Sequence, residues 1–89
     1  MDIAELRSSL EAMLIRVCDL EAIGVSEIDH DERLIGGRLD LNSLDSIEIA
    51  AAIEYEYGVR MQDLSVAKKA FRTVRSLAEH IAREKGWPT

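Results

Sequence analysis

Cysteine occurs once in this 89-residue sequence, at Cys18. A lone cysteine excludes an internal disulfide framework and a cysteine-based metal cluster, and it fits a reducing compartment. Its place beside an apolar helical stripe makes it a packing residue before a nucleophile. The aromatic residues are Tyr55, Tyr57, Phe71 and Trp87, so the core must be aliphatic. Histidine appears only as His30 and His80, in neither HExxH nor CxxCH spacing, and there is no P-loop or GxSxG pattern. The pair Gly36–Gly37 stands without the rest of a phosphate-binding fingerprint and reads as a turn. The longest uninterrupted apolar run is Ile49 to Ile53, far short of the roughly 20 residues that span a membrane. The first residues alternate acids with apolar groups and lack the basic start and apolar run of a secretory signal. The expectation is a cytoplasmic, monomeric, soluble chain with no stable membrane insertion.

What the sequence does have is an apolar fraction of 47%, enough for a packed core and too much for wholesale disorder. A chain of this length holds one domain, 1–89, with modest stability. The net charge of −6 is unevenly spread. Residues 1–39 carry nine acids against four arginines. Residues 40–59 carry Asp40, Asp45, Glu48, Glu54 and Glu56 with no Lys or Arg, whereas residues 60–89 carry seven bases against three acids. An acidic middle repels phosphate backbones and favours a partner with a basic patch, so nucleic acid is not expected as a partner. The scattered bases of the last third read as a solvated helix face.

Ile3, Leu6, Leu10, Met13, Val17 and Leu20 recur at spacings of three and four, which predicts a first helix over about 2–20. Residues 21–42 have no such period. They mix turn formers (Ser26, Asp29, Asp31, Gly36, Gly37) with Val25, Ile28, Leu34, Ile35, Leu39 and Leu41, and read as a long loop pinned to the core by side chains. Asn42 is a good N-cap, with Asp45 at the capping-box position, for a second helix over about 43–57. Ile49, Ile53 and Tyr57 form its core stripe, Leu44, Ile47 and Ala51 form a second apolar line, and Gly58 ends it. Asp63 or Ser65 can cap a short helix near 63–69. Thr73 can cap a last helix over about 73–85, with Val74, Leu77, Ala78 and Ile81 inward and Gly86 and Pro88 closing it. The fold class is all-α: a four-helix bundle of three main helices and one short one.

Ser43 is the residue of chemical interest. It sits at the start of a helix after a long loop, where free N–H groups and the helix dipole favour a phosphate. Spacing alone leaves this reading level with an ordinary first-turn serine. No base adjoins Ser43 in sequence to activate it as a nucleophile.

The stretch Leu41-Asn-Ser-Leu-Asp-Ser-Ile-Glu-Ile49 resembles the signature of the acyl carrier protein family. Glu54-Tyr-Glu-Tyr-Gly-Val59 is similar to the acidic end of that family's second helix, Phe71 to Ile81 to its last helix, and Leu34 to Leu41 to a lengthened approach loop. The likeness covers about residues 3–83 and implies an acyl-carrier-like bundle. It further implies that Ser43, with Asn42 before it, is the attachment point of a 4'-phosphopantetheine arm transferred from coenzyme A by a phosphopantetheinyl transferase. By the same resemblance Leu44, Ile47 and Ala51 face partners, and Asp45, Glu48 and Glu54 are acidic docking residues. Partners would be an acyltransferase or an acyl or aminoacyl ligase, and ketosynthase-type enzymes. The chain would be their substrate, a discrete non-catalytic carrier for specialised fatty acid or polyketide-type assembly.

Three positions depart from the family pattern. Asn42 stands where Asp is usual, Ala51 where a larger residue is common, and Tyr55 where an acid is frequent. They point to a partner set unlike that of a housekeeping carrier. Three alternatives stay open: an aminoacyl or D-alanyl carrier loaded by an adenylating ligase, a protein-interaction module that is never primed, and a small DNA-binding helical domain.

Overall fold

The computed structural model describes residues 1–89 with the exception of the Leu64 side chain. Asp2 starts the first helix, α1 (Ile3–Val17), by accepting the Glu5 N–H at 2.8 Å. Leu6, Leu10, Met13 and Leu14 bury one face of it, at the i, i+4, i+7, i+8 spacing of a core-facing helix. Ile3 and Val17 at the ends of the stripe pack only partly against the core.

α1 stops at Val17, short of the expected end at residue 20. Asp19 takes a left-handed backbone, φ 51°, a conformation that Asp tolerates better than most residues. The chain then makes a 3₁₀ turn, Leu20–Ile23. Leu20 reaches the core from this turn, so its period with α1 is right for burial and wrong for the element.

The loop from there to residue 42 is ordered by its apolar side chains. Val25, Ile28, Leu34, Leu39 and Leu41 are buried, and Ile35 packs partly against them. Fully burying one such side chain contributes about 1.5–3 kcal/mol, enough to offset the ordering entropy of the residue or two beside it. Backbone bonds tie the loop to distant elements, from Leu34 N–H to Arg72 C=O (3.0 Å) and from Arg75 N–H to His30 C=O (2.9 Å). Gly37 is fixed by close approach: a Cβ there would lie 2.7 Å from the Arg33 carbonyl.

The second helix, α2 (Ser43–Tyr57), buries Ile49, Ile53 and Tyr57. Gly58 closes it in a left-handed conformation, φ 71°, its N–H bonded to Glu54 C=O at 2.9 Å. Asp63 caps α3 (Leu64–Ala70), accepting from the Ser65 N–H and hydroxyl at 2.9 and 2.7 Å, so Ser65 is a partner of the cap and not the cap itself. Thr73 and Ser76 cap α4 (Val74–Lys85) reciprocally, each side-chain oxygen accepting the other's N–H at 3.0 Å. α4 buries Val74, Leu77, Ala78, Ile81, Ala82 and also His80. It is the helix on which α1 packs most extensively. The result is the all-α four-helix bundle that the periodicities call for, 35 × 25 × 21 Å. Among the described residues no helix is long and apolar enough to cross a membrane.

Candidate functional site

The start of α2 is held by a complete capping box. Asn42 Oδ1 accepts the Leu44 N–H (2.8 Å) and the Asp45 N–H (3.3 Å), and Asp45 Oδ2 accepts the Asn42 N–H (2.8 Å). Asn in place of Asp therefore keeps the cap and removes a charge. The box also takes two of the first-turn N–H groups that the sequence offered to a phosphate. What remains there for an anion is the Ser43 N–H and the helix dipole.

Ser43 is the first residue of α2 and is exposed. Its carbonyl accepts the Ser46 hydroxyl at 2.5 Å, which turns Ser46 back onto the helix. Among the described residues the Ser43 hydroxyl itself has no hydrogen-bond partner. It lies on the lining of an open cavity of about 990 Å³ between α2, α3 and the long loop. Leu44, Ile47, Met61, Ala67 and Phe71 supply its apolar wall. Neither histidine lines it: His30 is held by Glu11 at 2.7 Å, and His80 is buried on α4.

The residues expected to face partners share one side of α2 unequally. Leu44 (71% exposed) and Ile47 (66%) stand out from the surface, Ala51 is exposed too, and Tyr55 (91%), which was not among the expected residues, extends their line. These side chains follow the i, i+3/i+4 spacing of one helix face. The acids differ in availability. Asp45 is committed to the capping box, and Glu54 pairs with Arg60 at 3.0 Å. Glu48 is exposed and without an ion pair among the described residues.

Cys18, just past α1, is half-buried. Burial first, then the Asp45 and Glu48 carboxylates, push its thiol up to about 11. It is protonated and inert at neutral pH, in line with a packing role.

Two clamps on the loop were not legible in sequence. Glu11 on α1 accepts the Ile28 N–H at 3.0 Å and meets His30 Nε2 at 2.7 Å. Arg75 on α4 makes a two-pronged bond to Asp31 at 2.5 and 3.0 Å. That guanidinium holds the Asp31 carboxyl below the usual range. The partners are 19 and 44 residues apart, and charged residues outside an apolar period give no signal of pairing at such range. The two clamps fix the loop that leads into Asn42 and Ser43. Among the described residues no cluster of His, Cys, Asp or Glu is arranged to hold a metal.

Fold and site together define an acyl-carrier-like helical bundle. The chain matches the family described as phosphopantetheine attachment site over residues 8–81, and it belongs to that family. It is a phosphopantetheine-attachment carrier domain. No curated protein and no solved structure matches the chain significantly. The residues present fit such an arm, with an exposed serine hydroxyl for its attachment and an adjoining cavity whose apolar wall an extended chain can lie against.

Proposed function

We propose that the chain is a carrier protein primed on Ser43 and serving specialised fatty acid or polyketide-type biosynthesis as a substrate of cytoplasmic partner enzymes. The observation that supports this best is the position of Ser43. It is exposed, first in a capped helix, free of hydrogen-bond partners among the described residues, and on the lip of an open cavity. In priming, Ser43 Oγ forms the new phosphodiester bond to the phosphopantetheine phosphorus of coenzyme A. The pyrophosphate bond breaks, adenosine 3',5'-bisphosphate leaves, and the hydroxyl proton goes to a base on the transferase. Attached there, the arm supplies a thiol on which acyl groups ride as thioesters.

The chain's own residues have three tasks in this reading. Asn42 and Asp45 hold the turn that presents Ser43. Leu44, Ile47, Ala51 and Tyr55 offer apolar contact to the partner, and Glu48, with Asp45 and Glu54 more weakly, steers a basic patch towards it. The protonated Cys18 stays out of thiol exchange with the arm. Incubation with coenzyme A and a broad-specificity phosphopantetheinyl transferase tests the proposal. Intact mass should rise by one phosphopantetheine in the native chain and not in Ser43→Ala. No gain with several transferases would overturn it and favour an unprimed interaction module.

A further inference from the structure

Between Leu64 and Ala78 the sequence has four bases, Lys68, Lys69, Arg72 and Arg75, and no acid. Arg75 is committed to Asp31. Lys68, Lys69 and Arg72 are exposed and have no ion pair among the described residues. The same holds for Arg33, which the long loop brings to one cavity rim with Lys68 and Arg72. Val66 stands exposed on α3, three residues before Lys69 and so on its side of the helix. The Arg72 N–H bonds to Lys69 C=O at 3.4 Å, which continues that row just past the helix end. A helix dipole accounts for bases in the last turn of α3, where Lys68 and Lys69 lie, but not for Arg33 or Arg72. Across the cavity α2 has the opposite character, with acids and no base.

From this division of charge we propose that α3 and Arg33 form a second docking face, taken by a partner protein that sets acidic side chains around an apolar contact for Val66. A partner reaching an arm on Ser43 then straddles the cavity, with basic groups over α2 and acidic groups over α3. That bearing on Ser43 rests on the priming proposed above. A uniformly basic surface, suited to α2 alone, meets like charge at α3 and is disfavoured. The two opposed fields fix which way round a partner sits. Nucleic acid is a poorer occupant, because its uniform charge is repelled by the acids of α2 one cavity away. A second copy of the chain is poorer too, since reciprocal pairing of α2 with α3 would cover Ser43 on both copies.

Titration of the full ¹⁵N-labelled chain with synthetic amphipathic helical peptides tests this. The peptides share one leucine stripe and carry glutamate, glutamine or lysine on its flanks. The chain is used unprimed, so a failure of this face is distinct from a failure of Ser43 to accept an arm. The glutamate peptide should shift the backbone amides of Val66, Lys69 and Arg72 saturably at about 0.05 M salt. Those of Arg83 and Lys85, exposed bases at the end of α4, should stay in place. An exposed cation changes affinity by about two- to fivefold, so Lys68→Gln/Lys69→Gln/Arg72→Gln should weaken binding on the order of tenfold or more. Salt at about 0.5 M, where the Debye length is about 4 Å, should weaken it as well. The lysine peptide should shift Glu48 instead. Equal shifts from the glutamine peptide would overturn the proposal and leave an apolar contact only. Equal shifts at Arg83 and Lys85 would overturn it as unspecific attraction. Tighter binding of an oligouridylate at the same amides would assign the face to nucleic acid, and shifts on concentrating the chain alone would assign it to a second copy. Either result overturns the proposal.

Discussion

Asn42 and Asp45 bind each other across the first turn of α2, the side chain of each accepting the other's backbone N–H. Ser43 lies between them, and its presentation depends on this pair. An N-cap of this kind contributes about 1 kcal/mol. Asn42→Ala should therefore lower the unfolding free energy measured by urea denaturation by that amount, while Asn42→Asp should leave it nearly unchanged. If priming rates follow the charge and not the cap, Asn42→Asp should alter the rate for a given transferase where stability does not move. An Asn42→Ala variant of undiminished stability would contradict the structural part.

The loop before the site should loosen when its clamp on α1 is removed. Glu11→Ala strips the Ile28 N–H and the His30 imidazole of their partner, and half-buried groups left unpaired cost about 1–3 kcal/mol. Amide exchange at Ile28 should accelerate while that of Leu77 and Ile81, in the α1–α4 core, keeps pace with global stability. Unchanged exchange at Ile28 would show that the buried apolar anchors suffice alone.

These clamps mark the boundary of what the sequence makes legible. Ile49, Ile53 and Tyr57 announce α2 by their period, and Val74, Leu77, Ala78 and Ile81 announce α4, because helical burial imposes spacing on the chain. Val25, Ile28, Leu34, Leu39 and Leu41 have no period, yet their apolar character was enough to read the loop as anchored. Leu20 fits the period of α1 but enters the core from a separate turn, since a left-handed Asp19 leaves no trace in composition. The Asn42 capping box is readable, being local. The Arg75–Asp31 and Glu11–His30 pairs and the cationic rim of Arg33, Lys68 and Arg72 are not, because folding alone brings them together.

Cys18 should be slow to alkylate. With its thiol pushed up to about 11 by burial and by Asp45 and Glu48, little thiolate exists at pH 8. An unfolded cysteine titrates near pH 8.5–9, at about the reference value. Because the folded value is raised, the stabilisation linked to this thiol is full below about pH 9 and is lost as pH rises towards 11. Iodoacetamide at pH 8 should modify the native chain many times more slowly than the urea-unfolded one. Glu48→Gln should narrow the gap, and equal rates in both states would contradict the assignment.

Acid should weaken the fold through a small set of carboxylates. Asp31, bonded to Arg75, and Asp63 and Asp2, which accept helix-cap bonds, are all lowered from their ordinary values. Their contributions are complete above about pH 4 and are lost as pH falls through the lowered values. Melting temperature should fall more gently between pH 5 and pH 2 in Asp31→Asn and in Arg75→Gln than in the native chain, with the double variant no gentler than either. An unaltered acid profile in both would mean that this pair is too exposed to matter.

The central claim concerns one of the two serine hydroxyls that line the same cavity. Ser43 and Ser46 are three residues apart, and both lie in the tryptic peptide of residues 39–60. Ser46 already donates its hydroxyl to the Ser43 carbonyl, whereas the Ser43 hydroxyl is free among the described residues. Tandem mass spectrometry of that peptide after priming decides between them. Phosphopantetheine is expected on Ser43 alone; modification of Ser46, or of neither serine, would contradict the assignment.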